Sequence, residues 1–175
     1  KITHRLDIAK LPRSNKKDED ECFICDLNFP LNKQLSLEQY DFVTDFGNNE
    51  HPFNIAECYK SMHSLTKKNG YMFVSQHYIN GNGFYNFDFP FFESMAMANN
   101  YKILSNFYIL YSDVTPEFIL PINSDILDLI KFEKIKKGIN INYLFQKTND
   151  NDFNYPYQNL GKTPVRDTVY NPAFF

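Results

Sequence analysis

Three side chains suited to proton transfer follow two apolar segments of the chain. Glu50 and His51 come shortly after the run 40–46 (YDFVTDF), and His77 comes two residues after the run 71–75 (YMFVS). Both runs are short, apolar and rich in aromatic residues, which is typical of buried strands. Carboxylates and imidazoles are common general acids and bases in enzymes. Glu50, His51 and His77 are therefore the candidate catalytic residues.

Each histidine also has a structural interpretation. His51 precedes Pro52, which suits the first position of a helix, so His51 is a candidate N-cap of that helix. A helix N-terminus favours a carboxylate such as Glu50 over a protonated histidine. His77 is alternatively a partly buried structural residue. The sequence leaves these alternatives open.

The elements that position these residues alternate between strand and helix through the middle of the chain. Apolar runs and turn residues predict strands at 2–8, 22–27, 40–46, 71–75, 101–111 and 139–146, and helices at 52–68, 90–98 and 125–137. The charged segment 14–21 (SNKKDEDE) is predicted to be a solvated loop. Alternating helices and strands indicate an α/β fold, in which helices cover parallel strands.

Ligands of open α/β sheets bind outside the carboxyl ends of the strands. The residues at those ends are Asp7, Asp26, Leu27, Asp45 and Gly47, and we take them as candidate binding residues. Glycine permits a positive φ or a close approach of the backbone to a ligand. Asp7 is alternatively a solvated turn residue, and Asp26 a local cap of the turn that follows it.

Composition restricts the classes of function. The chain has 175 residues, a net charge of −3 and a pI near 5.8, which argues against a dedicated nucleic-acid-binding protein. No apolar run approaches the roughly 18 residues of a membrane-spanning helix, so we expect no membrane partner. An odd number of cysteines, three, argues against a disulfide scaffold and favours free thiols in the cytoplasm. Nothing in the sequence indicates an oligomeric state.

Cys22 and Cys25 have the C-x-x-C spacing of a metal knuckle. A zinc site normally takes two further ligands at similarly close spacing, and neither Cys58 nor the scattered histidines supply them. The sequence therefore predicts no metal site, and we expect these cysteines to be buried free thiols.

The ordered set of these segments resembles class I S-adenosylmethionine-dependent methyltransferases. The chain carries YDFVTDF and a T-x-F-G-x-x-E-H turn, then a helix ending in KKNG and the strand YMFVS, followed by FYN, PFF, ANNY and FQKT. The resemblance covers about residues 22–160. The resemblance implies a Rossmann-like, mostly parallel sheet with helices on both faces and an antiparallel C-terminal strand. It implies one methyltransferase-like domain over residues 1–175 and an irregular tail over 148–175. The family's first strand and glycine-rich loop have no counterpart here, so we expect the domain to be N-terminally incomplete.

The same resemblance implies roles for the strand-end residues. Asp7 would accept hydrogen bonds from the ribose of S-adenosylmethionine, Asp26 and Leu27 would meet the adenine, and Asp45 and Gly47 would border the methionine part. The methyl acceptor would be a small molecule or a saccharide. An alternative is a non-catalytic binding or scaffold protein on a degenerate methyltransferase fold, and a third is a carbohydrate-binding module, which predicts mostly antiparallel strands.

Overall fold

The computed structural model describes residues 4–7, 21–32, 35, 39–79, 81–112, 115–122 and 138–157. In these ranges the chain forms strands β1 His4–Asp7, β2 Glu21–Ile24, β3 Tyr40–Phe46, β4 Thr66–Ile79, β5 Lys102–Ser112, β6 Thr115–Pro121 and β7 Ile139–Gln146, and helices α1 Ile55–Leu65 and α2 Phe89–Asn99. The helix predicted at 125–137 and nearly all of the charged segment 14–21 lie outside the described residues.

The described strands form a parallel pair, β1–β2, and a five-stranded sheet in the order β3-β4-β7-β5-β6. In the larger sheet β3 is parallel to β4, whereas β7 is antiparallel to β4 and β5, and β6 is antiparallel to β5. The predicted antiparallel C-terminal strand is therefore confirmed. The expectation of a mostly parallel sheet is corrected, because this sheet is mixed, with β7 inserted between two strands that run the same way.

The two described helices lie on one face of the sheet. The Tyr59 ring of α1 contacts Phe91 and Phe92 of α2, with ring centroids 5.2 and 6.3 Å apart. The chain moves across the sheet in one direction, from β3 through α1 to β4 and through α2 to β5. Right-handed crossovers made in one direction place their helices on the same face. A helix on the opposite face remains a prediction.

Aromatic side chains dominate the core between the sheet and these helices. Phe92 of α2 is fully buried and stacks on Tyr143 of β7 at 4.9 Å between ring centroids. The four alternate residues of β7, Ile139, Ile141, Tyr143 and Phe145, are all fully buried. Burying one such side chain contributes about 1.5–3 kcal/mol, so this face of β7 anchors the sheet to the helices.

The first helix is shorter than the sequence pattern predicts. It begins at Ile55 instead of Pro52 and ends at Leu65, and β4 follows directly at Thr66. Asn69 and Gly70 pair instead with Lys147, directly after β7. Asn69 N–H donates to the Lys147 carbonyl at 2.7 Å, and Lys147 N–H donates to the Gly70 carbonyl at 3.0 Å. The pattern of lysines followed by Asn-Gly is typical of a helix end, but this tertiary pairing draws the segment into the strand.

Strand β6 was not predicted from the sequence. It contains Pro116 and ends at Pro121, and prolines argue against a central strand. Because β6 lies at the edge of the sheet and pairs only with β5, the missing N–H groups cost little here.

Residues 148–157 carry no helix or strand and lie across the ends of both helices. Asn99 Nδ2 donates to the Asn154 carbonyl at 2.9 Å, and Asn154 N–H donates to Asn99 Oδ1 at 2.8 Å. His63 Nε2 lies 2.8 Å from the Asn151 carbonyl and therefore carries the proton, while Nδ1 accepts from the Tyr101 hydroxyl at 2.6 Å. These polar contacts hold the segment on the helices.

Candidate functional site

The turn after β3 brings the first candidate residues to the end of β4. Gly47 has φ +68°, a conformation that favours glycine, and its N–H donates to the Ser75 carbonyl of β4 at 2.9 Å. Asp45 Oδ1 accepts from Asn48 N–H at 3.0 Å and fixes the start of the turn. The chain is thereby turned back so that Glu50 lies beside β4.

Glu50 lies between the two candidate histidines. Its Oε1 is 3.8 Å from Nε2 of His51 and 3.7 Å from Nε2 of His77. The Glu50 side chain is 1% exposed, whereas His77 is 28% and His51 50% exposed. The structure therefore brings all three predicted catalytic residues together, with a buried carboxylate behind two imidazoles that reach solvent.

One oxygen of this carboxylate has no partner among the described residues. Glu50 Oε2 is buried and makes no hydrogen bond, and the same holds for Nδ1 of His77. Buried polar atoms are almost always hydrogen-bonded, because leaving one unpaired costs about 1–3 kcal/mol. Two neighbouring side chains that each keep a buried polar atom without a hydrogen bond are the pattern of a site whose polar groups serve something other than stability.

The segment 81–84 packs directly on this pair. Phe84 N–H donates to the Glu50 carbonyl at 2.8 Å. A Cβ on Gly83 would lie 2.6 Å from that carbonyl oxygen, and a Cβ on Gly81 would lie 2.6 Å from His77 Cβ. Real Cβ atoms do not approach so closely, so both positions require glycine. The segment Gly81-Asn82-Gly83 thus lies directly against Glu50 and His77.

Asp45 is a buried carboxylate whose two oxygens are both used within the protein. Oδ1 accepts from Asn48, and Oδ2 accepts from Nε2 of Gln76. Burial raises the pKa of Asp45 to about 7, against the lowering effect of the Asn48 hydrogen bond, and the nearby Glu50 charge raises it further. Asp45 thus fixes the turn that carries Glu50.

The turn after β2 is joined to the start of α1. Asn54 donates from its N–H to Asn28 Oδ1 at 2.9 Å and from Nδ2 to the Asn28 carbonyl at 3.0 Å. The Cys58 thiol points at the Leu27 carbonyl, 3.6 Å away. Asp26 Oδ1 accepts from both the N–H and Nδ2 of Asn28. Asp26 therefore caps the turn locally, which is one of the two interpretations that the sequence left open. Asp26 itself is exposed, beside the half-buried Leu27.

Burial raises the pKa of the Cys58 thiol to about 12, and the charges of Asp45 and Asp26 add to the effect. The carboxylates of Asp45 and Asp26 therefore both lie near Cys58, so the ends of β2 and β3 are close together. Asp7 ends β1 and pairs with Ile24 of β2, so its backbone adjoins the same turn. For Asp7 the structure describes the backbone and not the side chain.

The N-cap interpretation of His51 is wrong. The N-cap of α1 is Asn54, whose Oδ1 accepts from Glu57 N–H at 3.3 Å. His51 lies outside the helix, and its half-exposed ring is available to a ligand. Asn54 was the better sequence candidate, because asparagine is a strong N-cap and an acidic residue three positions later suits the first turn.

Two buried polar residues of the site, Gln76 and Asn49, lie at the predicted strand ends but were not among the candidate catalytic or binding residues. Gln76 is fully buried and holds Asp45, and its Oε1 has no partner. Asn49 is 3% exposed, and its Nδ2 contacts the sulfur of Met62 at 3.3 Å. Gln76 directly follows the apolar run 71–75 and precedes His77, and this polar residue at a predicted strand end was the available signal.

The arrangement is suited to acid–base chemistry. Glu50 places a carboxylate 3.8 Å from Nε2 of His51 and 3.7 Å from Nε2 of His77 while it stays out of solvent. Carboxylates and imidazoles are common general acids and bases in enzymes. In the described part of the chain no group of three or more His, Cys, Asp or Glu could hold a metal ion. Cys58 is a buried free thiol, whereas Cys25 is only half-buried.

Comparisons with known proteins complete the description. No family model matches the chain, and no curated protein matches it. Among solved structures, the fold is similar to a crystal structure of an S-adenosylmethionine-dependent methyltransferase from Clostridium acetobutylicum ATCC 824. That match has a TM-score of 0.40 and 11% identity, and it covers 85% of this chain and 76% of the other. None of the helices that the structure describes is long and apolar enough to cross a membrane.

Proposed function

We propose that the protein transfers a methyl group from S-adenosylmethionine to a hydroxyl or amine of a small molecule or saccharide. The observation that carries this proposal is the buried Glu50 carboxylate, which has an unpaired Oε2 and two solvent-reaching histidines at the carboxyl ends of β3 and β4. This is where ligands of open α/β sheets bind. The ordered sequence motifs supply the class of reaction.

The residues present fit this cofactor in their chemistry. Asp26 and Leu27 offer a carboxylate and an apolar side chain for an adenine, and Gly47 offers backbone without a Cβ. Asp7 ends the neighbouring strand, as a ribose-binding acid would. Asp45 is expected to act indirectly, by holding the turn that carries Gly47 and Glu50, because both its oxygens are already bonded.

When bound, the cofactor supplies an electrophilic methyl group on a sulfonium. The chain then has to align the acceptor and remove its proton. His51 is the proposed base, because half of its side chain is exposed to an incoming acceptor. Glu50 stabilises the imidazolium that forms, and His77 on the other side of the carboxylate is the second candidate for this role.

Calorimetric titration of S-adenosylhomocysteine into the full-length protein tests the cofactor assignment. We expect binding to the wild type and a loss of about tenfold or more in Asp26→Ala, which removes a charged hydrogen-bond partner worth about 1.5–3 kcal/mol. Asp41→Ala is the matched control, since Asp41 is 89% exposed and pairs only with Lys67 on the surface. Absence of binding to the wild type would refute the proposal.

The catalytic assignment is tested separately. Glu50→Gln and His51→Gln are expected to keep S-adenosylhomocysteine binding and to lose methyl transfer, measured as S-adenosylhomocysteine formed in the presence of acceptor mixtures. The alternative function is a non-catalytic binding protein on the same fold. The burial of Asp45 and the use of both its oxygens within the protein favour it, because this carboxylate is withdrawn from direct contact with a ligand. The non-catalytic alternative predicts the same binding of S-adenosylhomocysteine in the titration, but no methyl transfer by the wild type.

A further inference from the structure

Two strongly exposed phenylalanines flank the candidate site. Phe53 is 77% and Phe84 73% exposed, and their rings meet edge to face with centroids 6.2 Å apart and an angle of 84° between the planes. Single exposed apolar residues are normal on protein surfaces, but two large rings in contact form a patch that calls for an explanation. At nearly right angles, they form an apolar corner open to solvent.

The backbone holds both rings in place beside the proposed catalytic residues. Phe84 N–H donates to the Glu50 carbonyl at 2.8 Å, and the Tyr85 hydroxyl donates to the Phe53 carbonyl at 2.7 Å. Phe53 follows His51 by two residues, so the corner and the half-exposed imidazole belong to one short segment. The rings are therefore fixed to the segments that carry Glu50 and cover it.

A second observation at the same place points to a ligand. Glu50 is 1% exposed and its Oε2 has no hydrogen-bond partner, so the site retains polar capacity that the protein does not use. Ligand sites typically combine apolar and aromatic walls with a few polar groups that fix orientation. Phe53 and Phe84 supply the walls, and His51 and Glu50 supply the polar groups.

We propose that Phe53 and Phe84 form the binding platform for the acceptor and that the acceptor is a saccharide. This inference rests on the proposed function and names its substrate class. A pyranose ring carries apolar C–H groups on its faces and hydroxyls around its rim. With C–H groups on the Phe53 and Phe84 rings, a rim hydroxyl reaches toward the His51 imidazole. The exposed Asn82, next to Gly83, offers an amide to another hydroxyl.

Saturation-transfer NMR on the full-length protein tests the platform with methyl β-D-glucopyranoside as the probe and p-cresol as a flat aromatic comparison. In this glucoside the C1, C3 and C5 hydrogens share one face. We expect saturation of those hydrogens in the wild type and a drop of about fivefold or more in Phe53→Ala and in Phe84→Ala, since each ring contributes through apolar burial. Phe118→Ala is the control, because Phe118 is 60% exposed on β6, away from these segments.

Three outcomes would overturn the proposal. They are no saturation of the glucoside in the wild type, equal saturation in the wild type and both platform variants, and saturation of p-cresol alone, which would indicate an aromatic acceptor. S-Adenosylhomocysteine titrations on the same variants separate this proposal from the one on which it rests. Retained cofactor binding without a glucoside signal refutes only the saccharide platform, whereas absent cofactor binding refutes the methyltransferase assignment.

Discussion

Replacing Gly83 with alanine is expected to displace the Glu50 segment. The new Cβ would meet the Glu50 carbonyl oxygen at 2.6 Å and Glu50 Cβ at 2.8 Å, and it would also overlap Cγ. Two of these atoms belong to backbone or to Cβ, so rotation of the Glu50 side chain cannot relieve the contact. The two segments must separate, which weakens the hydrogen bond from Phe84 N–H to Glu50 O.

The cost has two parts. Overpacking of a closely packed site costs about 1–3 kcal/mol, and the weakened hydrogen bond adds about 0.5–1.5 kcal/mol. We therefore expect Gly83→Ala to lower the free energy of unfolding by about 2–4 kcal/mol, and each kcal/mol lowers Tm by about 2–4 °C for a chain of this size. It is also expected to abolish methyl transfer, because the clash displaces Glu50 from its position beside the two histidines.

Urea unfolding followed by far-UV circular dichroism measures this loss, and the protein has no Trp, so tyrosine fluorescence is the second probe. Gly138→Ala is the matched control. A Cβ there would meet nothing within 4 Å, so this variant is expected to equal the wild type or gain about 0.4–1 kcal/mol from lower unfolded-state entropy. If Gly83→Ala matched Gly138→Ala in stability, the packing of segment 81–84 on Glu50 would be refuted.

Three further predictions concern buried titratable groups. The pKa of Asp45 rises from 3.8 to about 7 in the folded protein, so ionising Asp45 costs stability. Asp45→Asn should therefore match the wild type in stability at pH 4 and exceed it by up to about 4 kcal/mol above pH 7. A stability difference that does not change with pH would contradict this. Burial lowers the pKa of His63 below 6.5, so the unfolded state takes up the proton first and stability falls as pH drops below about 6.5. His63→Gln should remove that component of the pH dependence, and an unchanged unfolding profile would count against it. Glu50→Gln removes a buried charge with an unpaired oxygen, so it should raise stability by about 1 kcal/mol in thermal unfolding. The same variant should lose methyl transfer. A destabilised variant would show instead that Glu50 has a structural role.

Elements that depend on local patterns were predicted correctly. The predicted strand 139–146 has the bounds of β7, and the predicted helix 90–98 matches α2 to within one residue at each end. The end of α1 was predicted wrongly, and the edge strand β6 was not predicted. In both places the deciding contacts are with distant residues, such as Lys147, whose Nζ donates to the His63 and Thr66 carbonyls at the end of α1.

The candidate site also depends partly on local sequence and partly on tertiary contacts. The residue types at the strand ends follow from the sequence, because an apolar run that stops at polar residues marks a strand end whatever the strand pairs with. The tertiary structure alone decided that Glu50 is buried between His51 and His77, that Gly83 touches Glu50, and that Asp45 is bonded to Gln76. The physical reason is that periodicity reports burial along one segment, whereas a site requires side chains from several segments to meet. Which segments meet is set by strand order and packing, and those depend on the whole chain.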